Sequence, residues 1–207
     1  MKKRLFSILF GFVALGIQAQ TYCTPSYTTG CTVGDDINDV YIGTFQDTGT
    51  GCTSSYYNVQ TSDTVFIQQT APTTISFTSN YFTQYFALWI DFNDDGDFDD
   101  SGEHLWSSPT NSWSTTTGSI TIPSTVSLGS YRLRVRSNYS AAITATQSCS
   151  SFTYGEVHDY TTTITAPPAC PAPVFASLTA TDTTATLSWT SADTLFTVDY
   201  GIAGSSN

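Results

Sequence analysis

Residues 85–106 read YFALWIDFNDDGDFDDSGEHLW. Two apolar runs, YFALWI and HLW, bracket thirteen residues that hold seven of the chain's seventeen carboxylates. Like charges about 6 Å apart cost roughly 0.7–3 kcal/mol per pair, depending on the local dielectric. Such a segment is therefore either a fully solvated turn or a shell around a cation. Its flanks are rich in aromatic and apolar residues and short, which predicts two strands joined by an acidic loop.

The same vocabulary recurs along the chain. Strands are predicted at 39–45, 56–60, 64–69, 73–79, 85–91, 103–108, 117–123, 130–137 and 158–165, with Gly, Asn, Asp and Pro between them and almost no helical periodicity. Short strands at this density predict an all-β sandwich. The alternation is clearest in YRLRVRS (131–137): Leu133 and Val135 share one face, and Arg132, Arg134 and Arg136 share the other. Two compatible readings follow, a solvated outer face or a set of counter-charges for nearby carboxylates.

Within the acidic loop, Asp91, Asn93, Asp95, Gly96 and Asp97 follow the order D-x-N-x-D-G-x, the first half of an EF-hand-type calcium loop. Side-chain oxygens at alternate positions converge, and the glycine permits the sharp turn. Asp97 stands where a backbone carbonyl ligates, and Phe98 where such loops tuck an apolar side chain inward. Position twelve is Gly102 in place of glutamate, and Glu103 follows it. The flanks are strands, so the prediction is an EF-hand-like loop on a β-hairpin, with Glu103 or Asp99 closing the site. The predicted cofactor is Ca²⁺, held by Asp91, Asn93, Asp95, Asp97, Asp99 and Glu103. The bland alternative is a solvated turn, since NDDGD is also turn chemistry.

Residues 1–19 carry a basic start (MKKR), a thirteen-residue apolar stretch and a small residue, Ala19, the layout of a secretory signal peptide. Its removal would leave three arginines against seventeen acids, a formal charge of −14. Nucleic acid and anionic membranes are poor partners for such a chain, and divalent cations good ones. No membrane insertion is expected after cleavage, and the protein is predicted to be secreted or held at the cell surface. Export makes disulfides plausible for Cys23, Cys31, Cys52 and Cys149, which allow three connectivities. The preferred one is a Cys23–Cys31 clip with a Cys52–Cys149 staple. Cys170 is left over.

Residues 166–173, APPACPAP, form a stiff Pro-rich linker. In 174–207 a second alternating pattern, with Leu187 and Trp189 in one strand and Val198 and Tyr200 in the next, resembles the opening of a fibronectin type III domain. That resemblance implies a domain cut short, hairpin-like on its own.

YC near residue 22, WIDFNDDGDFDDSGE, GSYRLRVR and FTYGEVHDYTTTI together resemble the GEVED domain, over roughly residues 21–165. The resemblance implies a module of large secreted proteins of Bacteroidetes-type bacteria, often beside fibronectin type III domains and sometimes attached to hydrolases. The signature departs at His158, where the motif has glutamate. Glu156 and His158 share one face, Val157 and Asp159 the other; the sequence leaves open which face meets the acidic loop.

His104 and His158 are the only histidines, and no H-E-x-x-H or G-x-S-x-G pattern occurs. The expected function is a non-catalytic spacer, presentation or adhesion module. The alternative is an accessory module binding extracellular polysaccharide or protein, with Tyr81, Phe82, Trp106, Trp113 and Tyr139 as its aromatic candidates against a reading in which they pack the core.

Overall fold

In the computed structural model, residues 21–81, 83–110, 115–139, 141–167 and 174–190 are described. The strands are β1 (Tyr27–Gly30), β2 (Asp39–Ile42), β3 (Phe45–Thr48), β4 (Tyr57–Gln68), β5 (Thr73–Thr78), β6 (Gln84–Asp91), β7 (His104–Ser107), β8 (Thr115–Ile120), β9 (Gly129–Tyr139), β10 (Phe152–Tyr154), β11 (Val157–Thr165), β12 (Val174–Ala180) and β13 (Ala185–Thr190). One 3-10 turn, Ala145–Gln147, is the helical exception among them. The proposed signal peptide, Cys170 and the 191–207 tail lie outside the described residues.

Two larger sheets carry the fold. One has the order β4-β11-β9-β6-β7, the other β3-β2-β5-β8. Val40, Ile42, Ile75, Phe77 and Ile120 of the four-stranded sheet share one apolar cluster with Val65, Ile67, Phe86, Leu88, Ile90, Leu133, Val135, Tyr160 and Ile164 of the five-stranded sheet. That shared core is what the period-2 alternation predicts for two layers packed face to face. Each fully buried aliphatic side chain contributes about 1.5–3 kcal/mol.

Predicted strand 39–45 is in fact two strands. Ile42 pairs with Phe45 across Gly43–Thr44, and Gly43 takes φ 59°, a left-handed conformation that glycine adopts without steric cost. Conversely, 56–60 and 64–69 are one strand. Tyr160 faces Gln60 and Thr161 faces Thr64, so Thr61–Asp63 leave the ladder as a bulge that the pattern reads as a break. β1 and β10, a short parallel pair, had no sequence signal.

The five-stranded sheet is covered on its outer face as well. Register places Asp91, Trp89 and Ala87 opposite Arg132, Arg134 and Arg136, and Asp159 opposite Arg134, all on the side away from the main core. Ala87 and Trp89 there pack with Phe98, Ile143, Tyr22 and Phe152. The cover consists of the N-terminal segment, the 141–152 segment and the acidic loop. Trp89 Nε1 donates to Ala145 O at 3.0 Å, fixing part of it.

The cystines are Cys23–Cys149 and Cys31–Cys52, which corrects the preferred pairing. The reason is β1. A strand rises about 3.3 Å per residue, so the segment between Cys23 and Cys31 carries them apart rather than closing a clip. Cys23 instead meets the 141–152 cover, and Cys31 meets the loop before β4. β12 and β13 form a separate two-stranded antiparallel hairpin, with Val174, Leu178 and Leu187 exposed.

Candidate functional site

The three arginines were expected to face solvent or to neutralise carboxylates. The first reading fails for two of them: Arg134 and Arg136 are fully buried. Arg134 makes a forked pair with Asp159, Nε to Oδ1 at 2.7 Å and Nη2 to Oδ2 at 2.8 Å. Its remaining donors reach Cys23 O at 2.9 Å, Ser148 O at 3.2 Å and the Cys23 sulfur at 3.0 Å. Burial by itself would lower the guanidinium pKa, but the pair with Asp159 outweighs it and holds Arg134 above its ordinary value. Tyr57 donates to the same carboxylate at 2.7 Å, and burial followed by that charge pushes its hydroxyl up to about 12.

Arg136 is met by carbonyls, Gln147 O and Ser150 O, and by Tyr27 Oη. Burial lowers its pKa. Aromatic rings complete the row: Arg132 lies over Tyr22 at 4.8 Å, Arg134 over Phe98 at 4.6 Å and Arg136 over Phe152 at 4.3 Å. Cation–π contacts of this kind are worth up to about 2 kcal/mol when desolvated. The arginine row thus clamps the cover to the sheet.

The acidic loop is built onto that row. Asp91 ends β6 and is fully buried. Its Oδ1 accepts from Asp94 N at 2.7 Å, and its Oδ2 from Gly96 N at 3.0 Å and from Tyr22 Oη at 2.7 Å. Asp94 at φ 58° and Gly96 at φ 96° turn the chain back on itself. Glu103 closes the loop at its base, accepting from Phe92 N at 2.9 Å. Burial pushes its carboxyl up to about 7; the Asp91 and Asp100 charges add to this, and the Phe92 and Asp100 N–H groups oppose it.

At the loop's outer end, Asn93 Nδ2 donates to Asp95 Oδ2 at 2.8 Å and to Asp100 Oδ2 at 2.6 Å. Two carboxylates are thus drawn to one amide. The Asp97 and Asp99 side chains go elsewhere: Asp97 Oδ1 accepts from Asp99 N at 2.9 Å, and Asp99 Oδ1 from Ser148 Oγ at 3.2 Å. Phe98 turns inward and is buried, 5.4 Å from the Tyr22 ring centre. Among the described residues, no three His, Cys, Asp or Glu side chains form a ready-made ligand cluster. The donor set is nevertheless chemically suited to a hard cation, being all oxygen. Sequence reasoning missed Asp100, although it lies in the acidic run. It also missed Tyr22 and Ser148, which reach the loop from 69 and 49 residues away.

Glu156 and His158 lie on the inner face, and the Asp159 face meets the acidic loop through Arg134 and Phe98. Glu156 accepts from Ile37 N at 3.0 Å, Thr53 N at 2.8 Å and Thr53 Oγ1 at 2.6 Å. His158 Nε2 lies 3.5 Å from Glu156 Oε2, and its Nδ1 lies 2.9 Å from Tyr160 Oη. Burial pushes Glu156 up, but His158 and these donors together hold it below the usual carboxylate range. The histidine that replaces the motif's glutamate therefore sits away from the acidic loop.

Of the aromatic candidates, Trp106 packs against the core, 5.8 Å from Phe77, over Gly118, where a Cβ would strike its indole. Tyr81 and Tyr139 are exposed, and their ring centres are 6.0 Å apart; Tyr139 lies 5.6 Å from Tyr154. Phe82 and Trp113 lie outside the described residues. No helix among the described residues is long and apolar enough to cross a membrane.

None of the curated proteins matches the chain. The segment from β6 to β11 does find a family: residues 85–163, which hold the acidic loop, the arginine row and the Glu156 motif, match the GEVED domain.

Proposed function

We propose that residues 21–165 form a calcium-stabilised, non-catalytic module of an exported, multidomain bacterial protein, with a spacer, presentation or adhesion role. The observation that carries this reading is the oxygen-only donor set on a loop anchored at both ends. Asp91, Asn93, Asp95 and Glu103 would hold the ion, with the carbonyl of Asp97. Asp100 joins them in place of the Asp99 side chain. The ion would supply positive charge to carboxylates whose hydrogen bonds come from amide and hydroxyl groups, and would pin the loop that carries Phe98 onto Arg134. Two disulfides and the signal-like N-terminus support export. The apolar stripe of the β12–β13 hairpin supports reading 174–207 as the opening of a fibronectin type III domain.

Thermal unfolding tests this. In millimolar calcium the melting temperature should rise above its value in EDTA, and Asp91→Ala/Asp95→Ala should abolish the rise. Identical curves for the unmodified protein would sink the calcium reading.

One observation favours the polysaccharide alternative: Tyr81, Tyr139 and Tyr154 form a continuous aromatic row reaching the surface. Tyrosines of this kind offer an apolar ring face and a hydroxyl to a ligand at the surface. Binding on a glycan array that Tyr139→Ala removes would support it, and an empty array would reject it.

A further inference from the structure

We propose that the Cys23–Cys149 disulfide sets the calcium affinity of the acidic loop, an inference that rests on the calcium reading above. Two side chains from outside the loop hand hydroxyl hydrogens to its carboxylates. Tyr22 Oη donates to Asp91 Oδ2 at 2.7 Å, and Ser148 Oγ donates to Asp99 Oδ1 at 3.2 Å. Tyr22 and Ser148 are the chain neighbours of Cys23 and Cys149. The disulfide therefore joins the two segments that grip the loop, one at its first carboxylate and one near its middle.

The grip has a shared foundation. Arg134 donates to Cys23 O and Ser148 O and touches both sulfurs, at 3.0 Å and 3.6 Å, while Phe98 of the loop lies over its guanidinium. The cystine spans 126 residues, so without it the two segments meet only by folding. Tyr22 orients Asp91, one of the proposed ligands, while Ser148 holds Asp99, the chain neighbour of the proposed ligand Asp100. Groups that orient a metal's ligands from outside typically change affinity about 10–100-fold when removed. Pre-organising both grips through one covalent bond acts in the same way.

Linkage makes the effect reciprocal: calcium should favour the oxidised form by the factor that oxidation favours calcium. Reduction by an external dithiol breaks the S–S bond and delivers two electrons and two protons. Cys23 and Cys149 each gain an S–H, and the dithiol closes to its own disulfide. The module's calcium response would then depend on the redox state of its surroundings.

Calcium titration by calorimetry, on the full chain, tests the inference. Cys23→Ser/Cys149→Ser should weaken the calcium Kd by about tenfold or more, and Cys31→Ser/Cys52→Ser, which opens the cystine joining the end of β1 to the segment before β4, should leave it unchanged. Tyr22→Phe/Ser148→Ala keeps both cystines and should also weaken it, which decides the matter if the cysteine variant fails to fold. An unchanged Kd in Tyr22→Phe/Ser148→Ala, or in a folded Cys23→Ser/Cys149→Ser, overturns the inference and leaves the calcium reading standing. No calcium binding by the unmodified protein overturns both.

Discussion

Over β6, β9 and the start of β11, the two faces of the five-stranded sheet are both buried, by opposite chemistry. On the inner face Leu133, Val135, Leu88 and Ile90 meet the second sheet, and the burial is of apolar area. On the outer face Arg134 and Arg136 are as deeply buried, and every donor must find an acceptor or a ring. Area is forgiving, because neighbours relax into part of any void. A buried charge is not: once its partner goes, the desolvation cost stands uncompensated.

The largest contrast should come from Arg134→Ala. It leaves the buried Asp159 with the Tyr57 hydroxyl and the more distant Arg132 guanidinium, 3.9 Å away, in place of its forked pair, and is expected to cost about 3–5 kcal/mol in chemical denaturation. Replacing both members, as in Arg134→Met/Asp159→Leu, should recover much of that loss. On the inner face, Leu133→Ala should cost about 2–5 kcal/mol with no such rescue by a second truncation. If the double variant is no more stable than Arg134→Ala, the outer face is not held by charge compensation.

A pH series sharpens the comparison at the inner rim. Glu156 is held below its ordinary pKa in the folded chain. Its contribution is therefore full above the unfolded carboxyl value near 4.5 and is lost as pH falls through the folded value. Glu156→Gln should be less stable than the unmodified protein at neutral pH, and the gap should narrow on acidification below about 4.5. A gap that stays constant through that window would remove Glu156 from the acid response. The smallest effect should lie where the outer face has no cover. Phe66 sits opposite Thr163 on that face and is 62% exposed, so Phe66→Thr should change stability by less than about 0.5 kcal/mol. A larger loss would mean that the cover extends to β4.

How much of this could be read beforehand differs between the strands and their surroundings. The alternation of 131–137 gave the correct sharing of faces, because side chains of a strand must point to opposite sides. It could not say that the polar face would be roofed. The roof is made of the segments around Tyr22 and 141–152, which have no periodicity of their own, and their contacts with Arg134 cross 111 and 14 residues. The acidic loop was legible in the order of its oxygens, its glycine and its inward phenylalanine. The sequence left its closing residue between Glu103 and Asp99; packing made the choice, because Glu103 holds the base of the loop while Asp99 is claimed by Ser148.

By itself, then, the sequence determined which residues of 131–137 share a face, where the acidic loop turns and the order of its oxygens, since each follows from local backbone geometry. Only the tertiary structure decided the cystine pairing, the burial of two arginines and the hold of Tyr22 and Ser148 on the loop. Those depend on which distant segments arrive over a face, and no local pattern records that.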